Sequence, residues 1–427
     1  MKKILILGAG VYQLPLIKKA RKMGLYTVVV SIPGSYPGFD WADKVYYKDT
    51  TDEEAVLEIA RKETVDGILT CGTDVAIRSI GRVCDTLGLK GISEAAAGKS
   101  CNKILMKDAL SSAGVACAKY KVMSLERENH DGKGDDCADT CDMNREKHHD
   151  AGICSKETEN HDAAAACEEI GYPVVIKAVD SSGSRGITIV KDKSMIAPAL
   201  DAVREVTRSS EYLIEECLMG EELGADAFVL DGKVQFVLPH GKYVYRADTG
   251  VPVGHYVPYE NAEVSDKTVK LVSEAIEAMG FDNCAVNADI MLNNGEPYIL
   301  EIGARAGATM IPELISIYNG YDYYEKLIQA ALGEEVDFAR SAQASFCGAA
   351  RLLISEKDGI VRAISDNIPE DIRDNIYDIR FDIKPKDKVN AFKIGPDRIG
   401  HVVTWADTLA EAEKMCQSAY EKIEVEL

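Results

Sequence analysis

The 427-residue sequence lacks the features of several specialised protein classes. No apolar run approaches the roughly 20 residues that a membrane-spanning helix needs. Positive charge is not in excess. The formal net charge is -21, which argues against a nucleic-acid partner, because binding phosphates requires a positive surface. The 12 cysteines are scattered, many of them in apolar segments such as those of Cys71, Cys217, Cys284 and Cys347, and are expected to be buried thiols and not a disulfide framework. These absences predict a cytoplasmic protein with neither a membrane nor a nucleic-acid partner.

The chain is too long for one ordinary hydrophobic core, so several subdomains are expected. Residues 1–92 alternate short β-branched runs with helical patterns, which is typical of a parallel sheet covered on both faces. The apolar run after Met1 is short and interrupted by Gly8, so it predicts a first strand and not a signal peptide. This part of the sequence therefore predicts a Rossmann-like domain.

The first strand ends in Gly8-Ala9-Gly10, which resembles the start of a dinucleotide-binding fingerprint. The complete fingerprint has a third glycine where Gln13 stands and an acidic residue where Ser31 stands. We therefore interpret the segment as a tight turn between strand and helix. Asp74 follows another strand and is expected to cap the next helix, with a place in the crevice at the strand ends as the alternative.

Residues 126–162 form a polar, acidic insertion with few large apolar side chains. A segment of this composition cannot bury enough surface to offset its ordering entropy, so flexibility is expected. The alternative is a metal site made of cysteines and a histidine, although the regular paired spacing of zinc ligands is missing. The cysteines of that alternative are Cys137, Cys141 and Cys154.

The sequence from residue 172 to about 332 changes to an α+β pattern with antiparallel strands. An apolar strand ends at Lys177 and is followed at once by a loop of small residues, 181–186. Backbone N–H groups of such a loop can hold phosphate oxygens, and a lysine can neutralise their charge. This pairing predicts a phosphate-binding site.

A later hairpin places two carboxylates within reach of each other. If its loop contains three residues, 294–296, Asp289 lies directly opposite Glu301. A two-residue loop would move the two side chains to opposite faces. Glu301 stands in an apolar strand, where an unpaired charge is expensive, so a cation partner is expected: a metal ion or Arg305.

These motifs, in this order, resemble those of the ATP-grasp superfamily, in particular its carboxylate–amine ligases, which include biotin carboxylase and the purine-pathway ligases. The resemblance covers nearly the whole chain. It implies a mixed α/β and α+β fold with three parts. They are a Rossmann-like domain at 1–92, the ATP-grasp nucleotide-binding region at 93–332 and a small β-rich lid domain at 333–427.

The resemblance also implies roles for individual residues in ATP binding. Lys103 and Lys177 match the two nucleotide lysines of the family, and Lys177 is also a candidate catalytic residue. The other implied ATP contacts are Ser181, Ser182, Gly183, Ser184 and Gly186 in the phosphate-covering loop, Glu215, Glu216, Cys217 and Leu218 at the adenine hinge, and Glu222 at the ribose.

Asp289 and Glu301 match the family's metal ligands, for Mg²⁺ or alternatively Mn²⁺. Arg305 matches the cationic residue beside the reacting phosphoryl group, as a catalytic and substrate-binding candidate. Gly303 departs from the family pattern, which often has Asn there, and this leaves a second metal ion less well held. Further substrate candidates, in segments expected to be loops, are Lys242, Arg246 and His255.

The implied activity is an ATP-dependent ligase that joins a carboxylate to an amine or a thiol through an acyl phosphate, releasing ADP and phosphate. Both substrates are expected to be small molecules, one of them an amino acid, and a homodimer would be usual among relatives. One alternative is a biotin-carboxylase-like or purine-pathway activity that activates bicarbonate or glycine, although the chain has no biotin-carrier motif. Another is a non-catalytic nucleotide-binding or metal-sensing module.

Overall fold

The structure, a computed structural model, describes residues 1–125, 156–181, 185–245 and 251–427. They form two compact units. The larger unit comprises Met1–Cys117 and Leu218–Leu427, and the smaller unit comprises Ala118–Ser181 and Arg185–Cys217. No helix in these ranges is long and apolar enough to cross a bilayer. The insertion prediction and the alternative metal site fall mainly on 126–155, outside the described residues.

The larger unit begins with a four-stranded parallel sheet in the order β3-β2-β1-β4. Its strands are β1 (Lys3–Leu7), β2 (Tyr26–Ser31), β3 (Lys44–Tyr47) and β4 (Gly67–Leu69). Its helices are α1 (Leu14–Lys22), α2 (Glu53–Glu63) and α3 (Ile77–Leu87), followed by α4 (Glu94–Ser100) and α5 (Lys103–Ser112). Four of the five residues of β1 are buried, as expected for a strand covered on both faces. The Rossmann-like prediction is confirmed.

The turn after β1 is closed by Gln13. Its side-chain oxygen accepts a hydrogen bond from the Gly10 N–H at 2.9 Å, and its amide donates to the Cys71 carbonyl at 2.5 Å. Gly8 has φ +93°, and a Cβ there would lie 2.9 Å from the Gln13 side chain. Gln13 therefore fills the space under the turn, which confirms the interpretation of this segment as a tight connection.

The smaller unit is a four-stranded antiparallel sheet in the order β5-β8-β6-β7, packed against two helices. Its elements are β5 (Tyr120–Ser124), α6 (Lys156–Ile170), β6 (Val174–Ala178), β7 (Ile187–Val190), α7 (Ile196–Arg204) and β8 (Glu211–Glu216). Its core combines small and aliphatic side chains from both helices and from the sheet with the fully buried Tyr212 of β8.

An eight-stranded sheet, β13-β12-β9-β10-β11-β14-β19-β17, forms the rest of the larger unit. Its strands are β9 (Glu221–Leu230), β10 (Lys233–Tyr245), β11 (Val251–Val257), β12 (Cys284–Asn293), β13 (Glu296–Gly303), β14 (Cys347–Leu353), β17 (Ile376–Phe381) and β19 (Gly400–Ala406). Its helices are α8 (Ala262–Met279), α9 (Ile311–Asn319), α10 (Tyr323–Ala331), α11 (Glu370–Arg373) and α12 (Leu409–Glu421). Short strands β15 (Gly359–Ile360), β16 (Ala363–Asp366), β18 (Lys388–Val389) and β20 (Ile423–Glu426) make two small ribbons, and single 3₁₀ turns are Phe39–Trp41, Lys193–Met195 and Gly395–Asp397.

The hairpin of β12 and β13 corrects one prediction. Asn293 pairs with Glu296, so the loop has two residues, Asn294 and Gly295, and not three. A β-bulge between Asp289 and Ile290 then shifts the register by one residue. Asp289 therefore lies opposite Glu301 as predicted, although the shift comes from the bulge and not from the loop length.

A second prediction was wrong about the segments around residues 240 and 255. They are not loops. Lys242 lies in β10, His255 lies in β11, and the two residues are direct partners in the antiparallel ladder. Arg246 lies outside the described residues. The strands extend well past the predicted hairpin at Asp231-Gly232, which is itself confirmed.

The C-terminal segment contributes β14, β19 and β17 to the same sheet as β11, and α12 packs on β14 and β19. The structure thus groups this segment with the first 117 residues in the larger unit. The predicted boundaries after residues 92 and 332 stay a prediction.

Close contact between β11 and β14 makes Gly254 sensitive to substitution. A Cβ there would lie 2.1 Å from the backbone oxygen of Ala350. We expect Gly254→Ala to destabilise the protein by about 1–3 kcal/mol, because the two strands must separate. Thermal unfolding followed by circular dichroism measures the change. Gly98→Ala in α4 is the control, since a Cβ there meets no atom within 4 Å, and helix propensity favours alanine. Equal midpoints for Gly254→Ala and the unsubstituted protein would contradict this packing.

Candidate active site

Two facing carboxylates lie on the hairpin of β12 and β13. Asp289 and Glu301 are register partners, and their side chains are 43% and 40% exposed. A ligand can therefore reach both groups. Each carboxylate is bound to a different lysine, and neither lysine was placed there by the sequence prediction.

Lys103 binds the first of these carboxylates. Its Nζ lies 3.0 Å from Glu301 Oε1, although Lys103 itself is only 5% exposed. The Asn102 side chain caps α5 by accepting hydrogen bonds from the Ile104 and Leu105 N–H groups, at 2.9 and 3.1 Å. The cap fixes the start of the helix and so presents Lys103 to the hairpin. Glu301 thus has a cation partner, but this partner is not the predicted Arg305.

Lys242 binds the second carboxylate and a third one. Its Nζ contacts Asp289 Oδ1 and lies 2.7 Å from Glu222 Oε1. Burial alone would lower the pKa of Lys242, but the two carboxylates outweigh it and raise the pKa. Burial would likewise raise the pKa of Asp289, and the Lys242 ammonium lowers it below the ordinary value. Glu222, predicted at the ribose, is a partner of Lys242 in this structure.

Arg305 is held by groups other than the two facing carboxylates. Its Nε donates to Asp74 Oδ1 and its Nη1 to Asn287 Oδ1, both at 2.8 Å. Burial would lower its pKa, but Asp74 and other carboxylates, Asp289 among them, raise it. Asp74 does not cap α3, whose N-cap residue is Ala76, so the helix-cap prediction was wrong. The position of Asp74 after a strand was the sequence signal for the alternative, a place in the crevice at the strand ends.

The position of Asp74 also explains Gly303, where the family often has Asn. A Cβ at Gly303 would lie 3.0 Å from Asp74 Oδ1, tighter than ordinary contacts. A larger side chain would crowd the carboxylate that holds Arg305. The Gly303 departure and the Asp74–Arg305 pair are therefore parts of one local arrangement.

A buried cluster behind Arg305 fixes the backbone that follows it. Asp226 is fully buried and accepts hydrogen bonds from the Gly307 N–H at 2.9 Å and from Asn287 Nδ2 at 2.8 Å. His240 Nε2 lies 3.3 Å from the same carboxylate. The ring of His255 packs edge-on against His240, and burial lowers the pKa of His255 well below its usual value. His255 is thus a neutral, buried strand residue.

The smaller unit contains the other predicted nucleotide residues. Lys177 Nζ lies 2.8 Å from Glu215 Oε2, and both side chains are buried. Ser181 Oγ donates to the Arg185 carbonyl at 2.7 Å, which closes the base of the predicted phosphate loop. Gly186 follows Arg185 in this loop and has φ +65°. Residues 182–184 of the loop lie outside the described residues. Glu216 ends β8, Cys217 follows it, and Leu218 is a buried residue at the start of the next segment of the larger unit.

The facing carboxylates have the chemistry of a magnesium site. Mg²⁺ prefers oxygen ligands and usually retains waters, so two carboxylates with phosphate oxygens suffice. Asp289 and Glu301 offer such oxygens from one face of the hairpin. In the part of the chain that the structure describes, no three His, Cys, Asp or Glu side chains are grouped to hold a metal. The residues present thus fit a partly hydrated ion and not an all-protein cage.

Two family models match parts of the chain. A model of the ATP-grasp domain matches residues 155–309, and a model of the L-amino acid ligase C-terminal domain 2 matches residues 351–427. Alanine–anticapsin ligase of Bacillus subtilis is 26% identical over 336 residues, which span 71% of this chain and 63% of that ligase. The match thus covers less than two thirds of that ligase's own length.

Solved structures share the fold over the whole chain. Phosphoribosylglycinamide synthetase from Anaerococcus prevotii superposes with a TM-score of 0.79 and 31% identity, covering 100% of this chain and 99% of its own. The L-amino acid ligase from Bacillus licheniformis gives 0.75 at 18% identity, covering 100% and 98%. The predicted fold and ligase class are confirmed, and the chain belongs to the ATP-grasp family.

Proposed function

We propose that the protein is an ATP-dependent ligase that joins the carboxylate of one small molecule to the amine of another, with an amino acid as a substrate. The observation that carries the proposal is the pairing of Asp289 with Glu301, each bound to a lysine. The match of the C-terminal segment to the L-amino acid ligase model, and the similarity to alanine–anticapsin ligase, support the amino-acid substrate. The cytoplasmic location and the homodimer stay predictions.

In the proposed reaction, a substrate carboxylate oxygen attacks the γ-phosphorus of ATP, and ADP leaves. The amine nitrogen then attacks the carbonyl carbon of the acyl phosphate, loses a proton, and phosphate leaves. The reaction requires little covalent chemistry from protein side chains, so catalysis depends mainly on positioning the substrates and stabilising charge. Arg305, held by Asp74 and Asn287, supplies a fixed positive charge for the transferring phosphoryl group. Mg²⁺ held by Asp289 and Glu301 would neutralise phosphate oxygens.

The two lysines of the larger unit have a further part in this proposal. Lys103 and Lys242 neutralise the facing carboxylates in the present arrangement. When a cation takes those carboxylates, each ammonium group loses one anionic contact, although Lys242 keeps Glu222, and is stabilised by new anionic partners. Phosphate oxygens of the nucleotide provide them, and an exchange of ion pairs then accompanies nucleotide binding.

A second candidate is phosphoribosylglycinamide synthesis, favoured by the 31% identity over the full length of one relative. Release of ADP separates the candidates when it is measured over pairs of amino acids and, in parallel, with glycine plus phosphoribosylamine and with bicarbonate. We expect release with a pair of amino acids and a product whose mass equals their sum less one water. Release only with phosphoribosylamine would establish the second candidate in its place.

Lys177→Ala and Glu301→Ala should each lower ATP turnover by about 100-fold or more, because the proposal gives Lys177 the neutralisation of phosphate charge and Glu301 the binding of the metal. Steady-state ADP release measures the effect. Lys270→Ala and Glu370→Ala are matched controls, since their side chains are 78% and 95% exposed. Near-normal turnover in a folded Lys177→Ala or Glu301→Ala protein contradicts the site.

Lys242→Met should change the pH dependence of Mg²⁺-dependent ADP binding. Lys242 holds the pKa of Asp289 below its ordinary value, so Asp289 is ionised throughout the neutral and mildly acidic range. Without Lys242, the attraction that lowers this pKa is largely lost, so the acidic limit of binding should move to higher pH. Titration calorimetry from pH 4.5 to 8 measures the limit, with Lys270→Met as the control. An unchanged acidic limit would show that Asp289 does not hold the metal.

A further inference from the structure

The ammonium group of Lys242 fills the space between two carboxylates. Its Nζ contacts Asp289 Oδ1 and lies 2.7 Å from Glu222 Oε1. The Lys242 side chain is only 5% exposed, whereas Glu222 is 24% exposed. A compact ammonium group with three donors is well suited to bridge two carboxylates. Lys242 therefore stands between these carboxylates as a built-in cation.

The strand register brings these groups to one face of the large sheet. Asp289 is the register partner of Gly224, and Glu222 lies two residues before Gly224 in β9. Residues two apart in a strand point to the same face, so Glu222 and Asp289 share a face. Lys242 reaches both from β10, the next strand, and Glu301 lies opposite Asp289 on β13. Three carboxylates and one lysine thus come from four neighbouring strands.

Lys103 supplies a second built-in cation from outside the sheet. It begins α5, and its Nζ lies 3.0 Å from Glu301 Oε1. A divalent ion on the same oxygen would lie within about 5 Å of this ammonium group, because Mg–O distances are about 2.1 Å. Positive charges at such a separation repel each other strongly where water is largely excluded. Each of the two facing carboxylates thus already has a positive partner that opposes a second one.

Phosphate groups change this balance. Their oxygens accept hydrogen bonds from ammonium groups, and they also ligate Mg²⁺. A nucleotide therefore offers each lysine a new partner when the ion takes its carboxylate. A bare ion, one without a nucleotide, offers the lysines no such partner. The contacts of Lys103 and Lys242 accordingly favour binding of the ion and the phosphates together over binding of the ion alone.

We propose that Lys242 and Lys103 act as internal counter-ions that keep a bare divalent cation off Asp289 and Glu301, so that the metal binds only together with the phosphates of a nucleotide. The inference rests on the proposed ATP-dependent function and adds an order of binding to it. Removal of either lysine should therefore create a cation site that needs no nucleotide.

Titration with Mn²⁺ in the absence of nucleotide, followed by the electron paramagnetic resonance of the free ion at pH 8, tests the inference. We expect Lys242→Met to bind Mn²⁺ at least tenfold more tightly than the unsubstituted protein. Methionine keeps most of the side-chain length but leaves the place of the ammonium group open. Adding Asp289→Asn to Lys242→Met should cancel the gain. Lys270→Met, whose side chain is 78% exposed, is the matched control and should show no gain.

A second pair of variants keeps the test usable should Lys242→Met not fold. Lys103→Met should also raise the affinity for bare Mn²⁺, and adding Glu301→Gln should cancel that gain. Both lysine variants should at the same time weaken Mg²⁺-dependent ADP binding, measured by calorimetry at pH 8, because the phosphates lose an ammonium partner. A purely structural role of the lysines would weaken the binding of both ligands.

The outcomes separate this inference from the ligase proposal. If neither lysine variant gains affinity for bare Mn²⁺, or if the gain persists after Asp289→Asn or Glu301→Gln, the counter-ion role is wrong, and release of ADP on substrate pairs still tests the ligase. If the gain appears and its partner substitution cancels it, the counter-ion role stands. Absence of ADP release on every substrate pair would then overturn the ligase alone.

Discussion

Two buried lysines from different elements bind the facing carboxylates of one hairpin. Lys103 and Lys242 hold Glu301 and Asp289, which are partners across β12 and β13. Both lysine side chains are buried, where a charge without a partner is costly. The two carboxylates that they hold stay partly exposed. In the function that we propose, binding of a metal nucleotide here would therefore exchange one set of ion pairs for another and would not create a charged site in an apolar surface.

The register of that hairpin could be predicted from the sequence only in part. Asn294-Gly295 is a local turn signal, and it correctly fixes a hairpin at this point. The bulge beside Asp289 has no such signal, because it depends on how the strand packs on both faces and not on a turn dipeptide. The prediction paired Asp289 with Glu301 correctly, although it assumed a three-residue loop. A one-residue shift in register changes the cross-strand partners in the same way whether it arises in the loop or at a bulge.

Features set by neighbouring residues were predicted well, and features set by distant residues were not. The buried run of β1, the turn at Gly8 and the hairpin at Asp231 follow from short patterns. The pair of Arg305 with Asp74 joins residues 231 positions apart, and no local pattern indicates it. The extent of β10 was missed for a related reason: its second half carries polar residues, such as Lys242, whose partners come from other strands. The family resemblance named candidate residues from the sequence. Their hydrogen-bond and ion-pair partners could be seen only in the folded chain.

The order of strands in the large sheet affects how the protein is made. β11 pairs on one side with β10, but on its other side with β14, which begins at Cys347. As the nascent chain leaves the ribosome, β11 therefore carries an uncovered edge while about ninety further residues are synthesised, as the bounds of the two strands show. Such an edge invites pairing with other chains. Synthesis that stops between residues 303 and 347 therefore leaves the β12–β13 hairpin complete in a sheet whose strand β11 has an uncovered edge.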